Sequence, residues 1–123
     1  VPGLTKKERV SLLIPIIDTL GDARFPDAIT TYVEALGMQD ESVSLAVVRA
    51  AGKLGGREAT ALLVTVALLD GSEAARQEAS ATLAKGEDAA EAIVLLTLQL
   101  KDGKKKTRKA AAEALSIMGS TQS

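Results

Sequence analysis

The chain has 123 residues, 15 Lys plus Arg against 16 Asp plus Glu, a net charge of −1, and no Cys, His or Trp. That length suits one domain with a modest core, and 46% hydrophobic with 25% charged residues speaks against both disorder and membrane insertion. With 2% aromatic residues the core must be built from Ala, Leu, Val and Ile, which favours closely packed helices, and the missing His and Cys remove the commonest general base, the thiolate nucleophile and the usual ligands of zinc, iron and copper.

The N-terminal stretch Val1-Pro2-Gly3-Leu4-Thr5-Lys6-Lys7 has no basic region followed by an apolar segment and a small-residue cleavage site, so it does not read as a signal peptide. The longest apolar stretches, residues 61–69 and 93–100, fall well short of the roughly 20 residues of a membrane span. Cytoplasm is the expected compartment. The first apolar periodicity predicts a helix over residues 6–20, kinked at its interior Pro15. Helices then follow over residues 26–36, 42–54, 58–69, 73–85, 89–100 and 105–118. Ile29, Val33 and Leu36 fall at spacings of four and three, as do Leu62, Val66 and Leu69. Pro26 stands where a missing N–H costs nothing, and Asp40, Ser72 and Asp88 stand where caps belong.

A glycine recurs after the helical patterns at Gly21, Gly55, Gly86 and Gly119, at intervals of 34, 31 and 33 residues. A period near 33 points to stacked supersecondary units, and each of these glycines is expected to take the left-handed conformation that ends a helix. Breaks at residues 37–41, 70–72 and 101–103 divide each unit into two helices. The approximate units are 5–22, a half-repeat, then 23–56, 57–87 and 88–120, within one domain over residues 1–123. In the last helix, Ala110-Ala111-Ala112-Glu113-Ala114-Leu115 places small residues at close-contact positions; residues 43–51 and 75–83 keep the same register, with Arg76 standing where Arg108 stands.

The succession of a valine-like residue and Arg, two spacers, Ala-Ala, a spacer, Ala-Leu, then Gly and an acidic or small residue resembles the HEAT-like repeat of phycobilisome-lyase-type proteins and bacterial scaffolds, over roughly residues 5–120. The first helix lacks the Val-Arg and Ala-Ala elements, and the third unit is one residue short before Gly86. The resemblance implies an all-α, right-handed α-solenoid of about seven helices, with the Val-Arg-type helices on the concave side. It also implies an inward structural role for Arg108, paired with a neighbouring repeat's acid.

By the register of that family pattern, Lys105, Lys106, Lys109 and Glu113 point into the groove, as do Leu45, Arg49 and Lys53 of one concave helix and Gln77, Glu78 and Ala81 of the next. These are the candidate partner-binding residues. Charge is segregated: residues 101–123 carry +6 and −2, residues 1–9 carry +3 and −1, and the middle carries +6 and −13. Lys104, Lys105 and Lys106 oppose the dipole of the helix they open. An anionic partner, an acidic peptide segment or a phosphate, explains this placement, and a solvated lysine run at an exposed edge explains it equally. Leu45 suits an apolar contact to a bound peptide, or packing against the first helix near Leu12 and Pro15. Leu12, Leu13 or Met118 exposed at an uncapped end favours end-to-end self-association.

The expected function is therefore a non-catalytic protein-interaction or scaffolding module binding a protein or peptide segment, acidic in the first reading. A structural spacer or self-assembling segment of a larger protein is the alternative, and an anionic-ligand or nucleic-acid binder the lesser one. Net charge and the lack of a stacking platform beyond Phe25 and Tyr32 speak against nucleic acid. Acid pairs such as Glu87-Asp88 and Asp40-Glu41 fall at helix corners and read as caps, so no catalytic residue, metal ligand or cofactor is assigned. A deep pocket containing Tyr32 or clustered carboxylates is what an enzymatic reading requires.

Overall fold

The computed structural model describes residues 3–122, apart from the side chains at positions 102 and 122; Val1, Pro2 and Ser123 lie outside the described residues. Seven α-helices follow one another: α1 (Lys6–Ala23), α2 (Ile29–Leu36) after a 3-10 turn (Pro26–Ala28), α3 (Glu41–Leu54), α4 (Gly56–Leu69), α5 (Glu73–Lys85), α6 (Ala89–Asp102) and α7 (Lys105–Gln122). No strand occurs among the described residues.

Local chemistry sets the helix starts. Thr5 and Glu8 form a reciprocal capping box: the Glu8 amide donates to Thr5 Oγ1 at 3.1 Å, and the Thr5 amide donates to Glu8 Oε1 at 3.0 Å. The bond from the Thr5 backbone, then that from its hydroxyl side, hold the Glu8 carboxyl below the usual glutamate range. Asp40 and Ser72 cap α3 and α5 by accepting from the amides of Val43 and Ala75. Asp88 does not cap α6; its carboxylate instead accepts from Thr60 Oγ1 of α4 at 3.2 Å.

The helices form two layers. The odd-numbered helices pack in succession, α1 on α3, α3 on α5, α5 on α7, and the even-numbered helices lie against them, α2 beside α4 and α4 beside α6. The core runs between the layers. Tyr32, Ile17, Leu96, Met118, Val43, Val47, Val48 and Val66 are its largest fully buried side chains, and Ala46, Ala50, Ala51, Ala75, Ala79, Ala111 and Ala114 fill the odd layer. Small side chains there let neighbouring helices approach closely.

The left-handed conformation expected of the recurring glycines is corrected at three of the four. Gly21 does not end α1: it lies inside the helix, buried, and the left-handed cap is Arg24 (φ 52, ψ 47). Gly119 lies inside α7, and Gly86 closes α5 with φ −80, so only Gly55 (φ 68) of the recurring four has positive φ. Met118 is buried in the core rather than exposed at an end. Leu13 is half-buried against that core, whereas Leu12 is exposed. Helix α1 continues through Pro15, whose carbonyl accepts from Thr19 Oγ1 at 2.9 Å.

Candidate partner-binding cleft

The two ends of the odd layer treat their cations differently. On α3, Arg49 lies 3.6 Å from Asp18 and Lys53 lies 2.5 Å from Asp22, so both candidate residues are paired to α1 by ion bridges one helical turn apart. Leu45 is half-buried and packs against the core cluster. At the other end Lys105, Lys106 and Lys109 are exposed on the first turns of α7 and make no ion pair among the described residues.

Lys106, Lys109 and Glu113 of α7 converge with Arg76 of α5 on a cleft of about 160 Å³ floored by Leu68 and Ala110. Spacings of three and four along α7 put Lys106, Lys109 and Glu113 on one face. The cleft continues along the α5–α7 seam as a shallow crevice past Gln77, whose amide donates to Glu73 Oε1 at 3.2 Å. Lys105 and Glu78 are exposed beside it but line neither part.

Arg76 and Asp70 hold the mouth in place. Arg76 Nη1 donates to the Asp70 carbonyl at 2.7 Å, Ser44 Oγ donates to Asp70 Oδ2 at 2.8 Å, and the Ser72 amide donates to Asp70 Oδ1 at 2.9 Å. One aspartate thus ties α3, the α4–α5 turn and α5 together. Arg108, the counterpart of Arg76, is exposed and among the described residues reaches the carbonyl of Gly103, at 3.4 Å. The inward, acid-paired arginine implied for that position is corrected on both counts: Arg76 is the half-buried one, and its partner is a backbone carbonyl. Asp70 and Leu68 were not singled out from the sequence. The recurrence of Asp-Gly at Asp70-Gly71 and Asp102-Gly103 is the signal that marks the first of them.

Other concavities are less organised. A cleft of about 530 Å³ opens between Leu36, Leu69 and the α4–α5 turn, where Ser72 Oγ donates to Glu41 Oε1 at 2.6 Å and the Ser72 amide to Asp70 Oδ1 at 2.9 Å. Tyr32 is fully buried, lines none of the clefts described, and its hydroxyl has no hydrogen-bond partner among the described residues; burial pushes its pKa up. Among the described residues no group of three or more acidic side chains is placed to hold a metal ion, and no helix is long and apolar enough to cross a membrane.

A family model described as HEAT repeats matches residues 1–84. The match is to HEAT repeats as such and does not extend to the phycobilisome-lyase-type subgroup. No curated protein and no solved structure matches the chain.

Proposed function

The chain belongs to the HEAT-repeat family, and on that premise we propose that it is a non-catalytic interaction module that holds an acidic segment of a partner protein in the cleft between α5 and α7. HEAT repeats are commonly protein-interaction or scaffold modules and typically lack catalytic activity. The observation that carries the finer reading is the asymmetry of the cations. Arg49 and Lys53 are paired with acids of α1, whereas Lys106 and Lys109, beside the apolar Leu68 and Ala110, make no ion pair among the described residues.

An acidic segment with one apolar side chain fits this arrangement. The apolar group would seat on Leu68 and Ala110, carboxylates would meet Lys106 and Lys109, and Glu113 and Asp70, which also line the cleft, would disfavour reversed charge order. Because the helices are packed before binding, the module loses little conformational entropy on complex formation. The test is capture from nuclease-treated lysate with the natural chain and with a Lys105→Glu, Lys106→Glu, Lys109→Glu variant. A protein retained by the first and lost by the second supports the reading; an identical set on both, or none on either, removes it.

A further inference from the structure

Three of the odd-numbered helices, α3, α5 and α7, are each packed against the even-numbered helix that precedes them, α2, α4 and α6. Among the described residues α1 has no helix in that place. The stacking contacts identify the side of α1 that this leaves open. Gly21 lies directly against Ala50 of α3, and Gly52 of α3 lies directly against Thr82 of α5. Gly21 therefore matches Gly52, and Ala50 matches Thr82. The ion bridges from Asp18 to Arg49 and from Asp22 to Lys53 join positions of the same match.

In that register Leu12, Ile16 and Leu20 of α1 correspond to Val43, Val47 and Ala51 of α3, and these to Ala75, Ala79 and Leu83 of α5. The residues of α3 and α5 are at most 3% exposed. By contrast Leu12 is 58% and Ile16 52% exposed, and Leu20 is half-buried. One helix side, spaced by four, is thus core on α3 and α5 and open on α1, where Pro15, Ile16, Thr19 and Leu20 line a shallow groove of about 260 Å³. Arg9, three residues before Leu12 on that side, is exposed and makes no ion pair among the described residues.

We propose that this side of α1 is a docking groove for one amphipathic helix of a partner protein, which lies antiparallel to α1 and takes the next place in the even layer. The direction continues the interface already present: α2, α4 and α6 run back along the helices they cover, joined to them by the short turns at residues 37–40, 70–72 and 103–104. Size sets the facing side chains. Where α4 brings Leu62, Leu63 and Val66, α5 carries Ala75 and Ala79. On α1 the large side chains stand on the odd helix, so the partner needs alanine or glycine opposite Leu12 and Ile16 to reach the same density. Charge sets the end. An antiparallel helix brings its C-terminus, the negative end of its dipole, to Arg9, and acids in its last turn would pair with the guanidinium. A second copy of α1 fits less well: setting its Ile16 against Leu12 places its Thr19, not an acid, beside Arg9, and large side chains against large.

The test is nuclear magnetic resonance of the labelled chain titrated with a stapled helical peptide of about 16 residues, long enough to hold a helix, with alanines and one leucine along one face and two glutamates in its last turn. Amide shifts should centre on α1 from Arg9 to Leu20, with a dissociation constant on the order of 100 µM. Ile16→Glu and Leu12→Glu, exposed substitutions that leave the circular dichroism spectrum unchanged, should each weaken binding more than tenfold. Arg9→Glu should weaken binding of this peptide and strengthen binding of one with two lysines in its last turn. No shift on α1 at millimolar peptide overturns the proposal, as does binding indifferent to Ile16→Glu, or an Arg9→Glu variant that does not exchange its preference between the two peptides. A chain that sediments as a dimer without peptide, and as a monomer once Ile16→Glu is made, would give the groove to a second copy and overturn it too.

Discussion

Gly21 of α1 lies directly against Ala50 of α3: a Cβ placed on Gly21 would stand 2.8 Å from both the Cα and the Cβ of Ala50. The glycine is needed for close approach of two helices. Gly21→Ala is expected to destabilise the chain by about 1 to 2 kcal/mol, overpacking of about 1 to 3 kcal/mol being partly offset by up to about 1 kcal/mol of helix propensity. Urea denaturation reads the difference. Gly119→Ala, inside α7 with nothing within 4 Å of the added Cβ, should show the opposite sign, a gain of up to about 1 kcal/mol.

Asp70 accepts from Ser44 of α3 and Ser72 of the turn, and Ser44 is buried. Asp70→Ala removes that acceptor from a buried hydroxyl and should cost about 1 to 3 kcal/mol. Ser44→Ala in the same background should then cost less than it does alone. A double-mutant cycle in urea that gives no coupling energy would show that the two side chains act independently.

The Tyr32 hydroxyl is buried without a partner among the described residues, so Tyr32→Phe should leave the packing intact and stabilise by up to about 1 kcal/mol. Burial raises the folded pKa of Tyr32 above its ordinary value of 10.0. Stability linked to the neutral phenol is therefore fully present below that value and is lost as pH rises through the folded one. Unfolding measured against alkaline pH should fall more steeply for the natural chain than for Tyr32→Phe. As the chain has one Tyr and no Trp, its ultraviolet titration reports this group alone.

Lys105 and Lys106 open α7 with no acid in the first turn. Each opposes the helix dipole, so Lys105→Glu or Lys106→Glu should raise stability by about 0.3 to 1 kcal/mol at low salt, and by less when salt screens the charges. The same Lys106→Glu change should weaken partner binding. Thermal unfolding that shows no gain would mean the lysines carry no local cost, and their placement would then need no functional explanation.

The two-helix unit and its period were legible because punctuation and apolar spacing agree: Asp40, Ser72 and Pro26 sit where helices begin, and the alanines of α3, α5 and α7 keep one register. The meaning of the glycines was not. Gly21 recurs for the sake of helix contact and Gly55 for its positive φ, and a one-dimensional pattern cannot separate steric need from backbone need. Of the candidate residues, Lys106, Lys109, Glu113 and Gln77 share the α5–α7 seam. Arg49 and Lys53 found acids 31 residues earlier, a distance along the chain that only the stacking of α1 on α3 closes.

The central claim, that the α5–α7 cleft receives an acidic segment, is tested most directly by nuclear magnetic resonance of the labelled chain during titration with a synthetic peptide of glutamates around one leucine. Amide shifts should move at Arg76, Lys106, Lys109 and Glu113 and stay fixed at Arg49 and Lys53, with the response lost in Lys106→Glu, Lys109→Glu. Shifts centred on α1 and α3, or none at all at millimolar peptide, would contradict it.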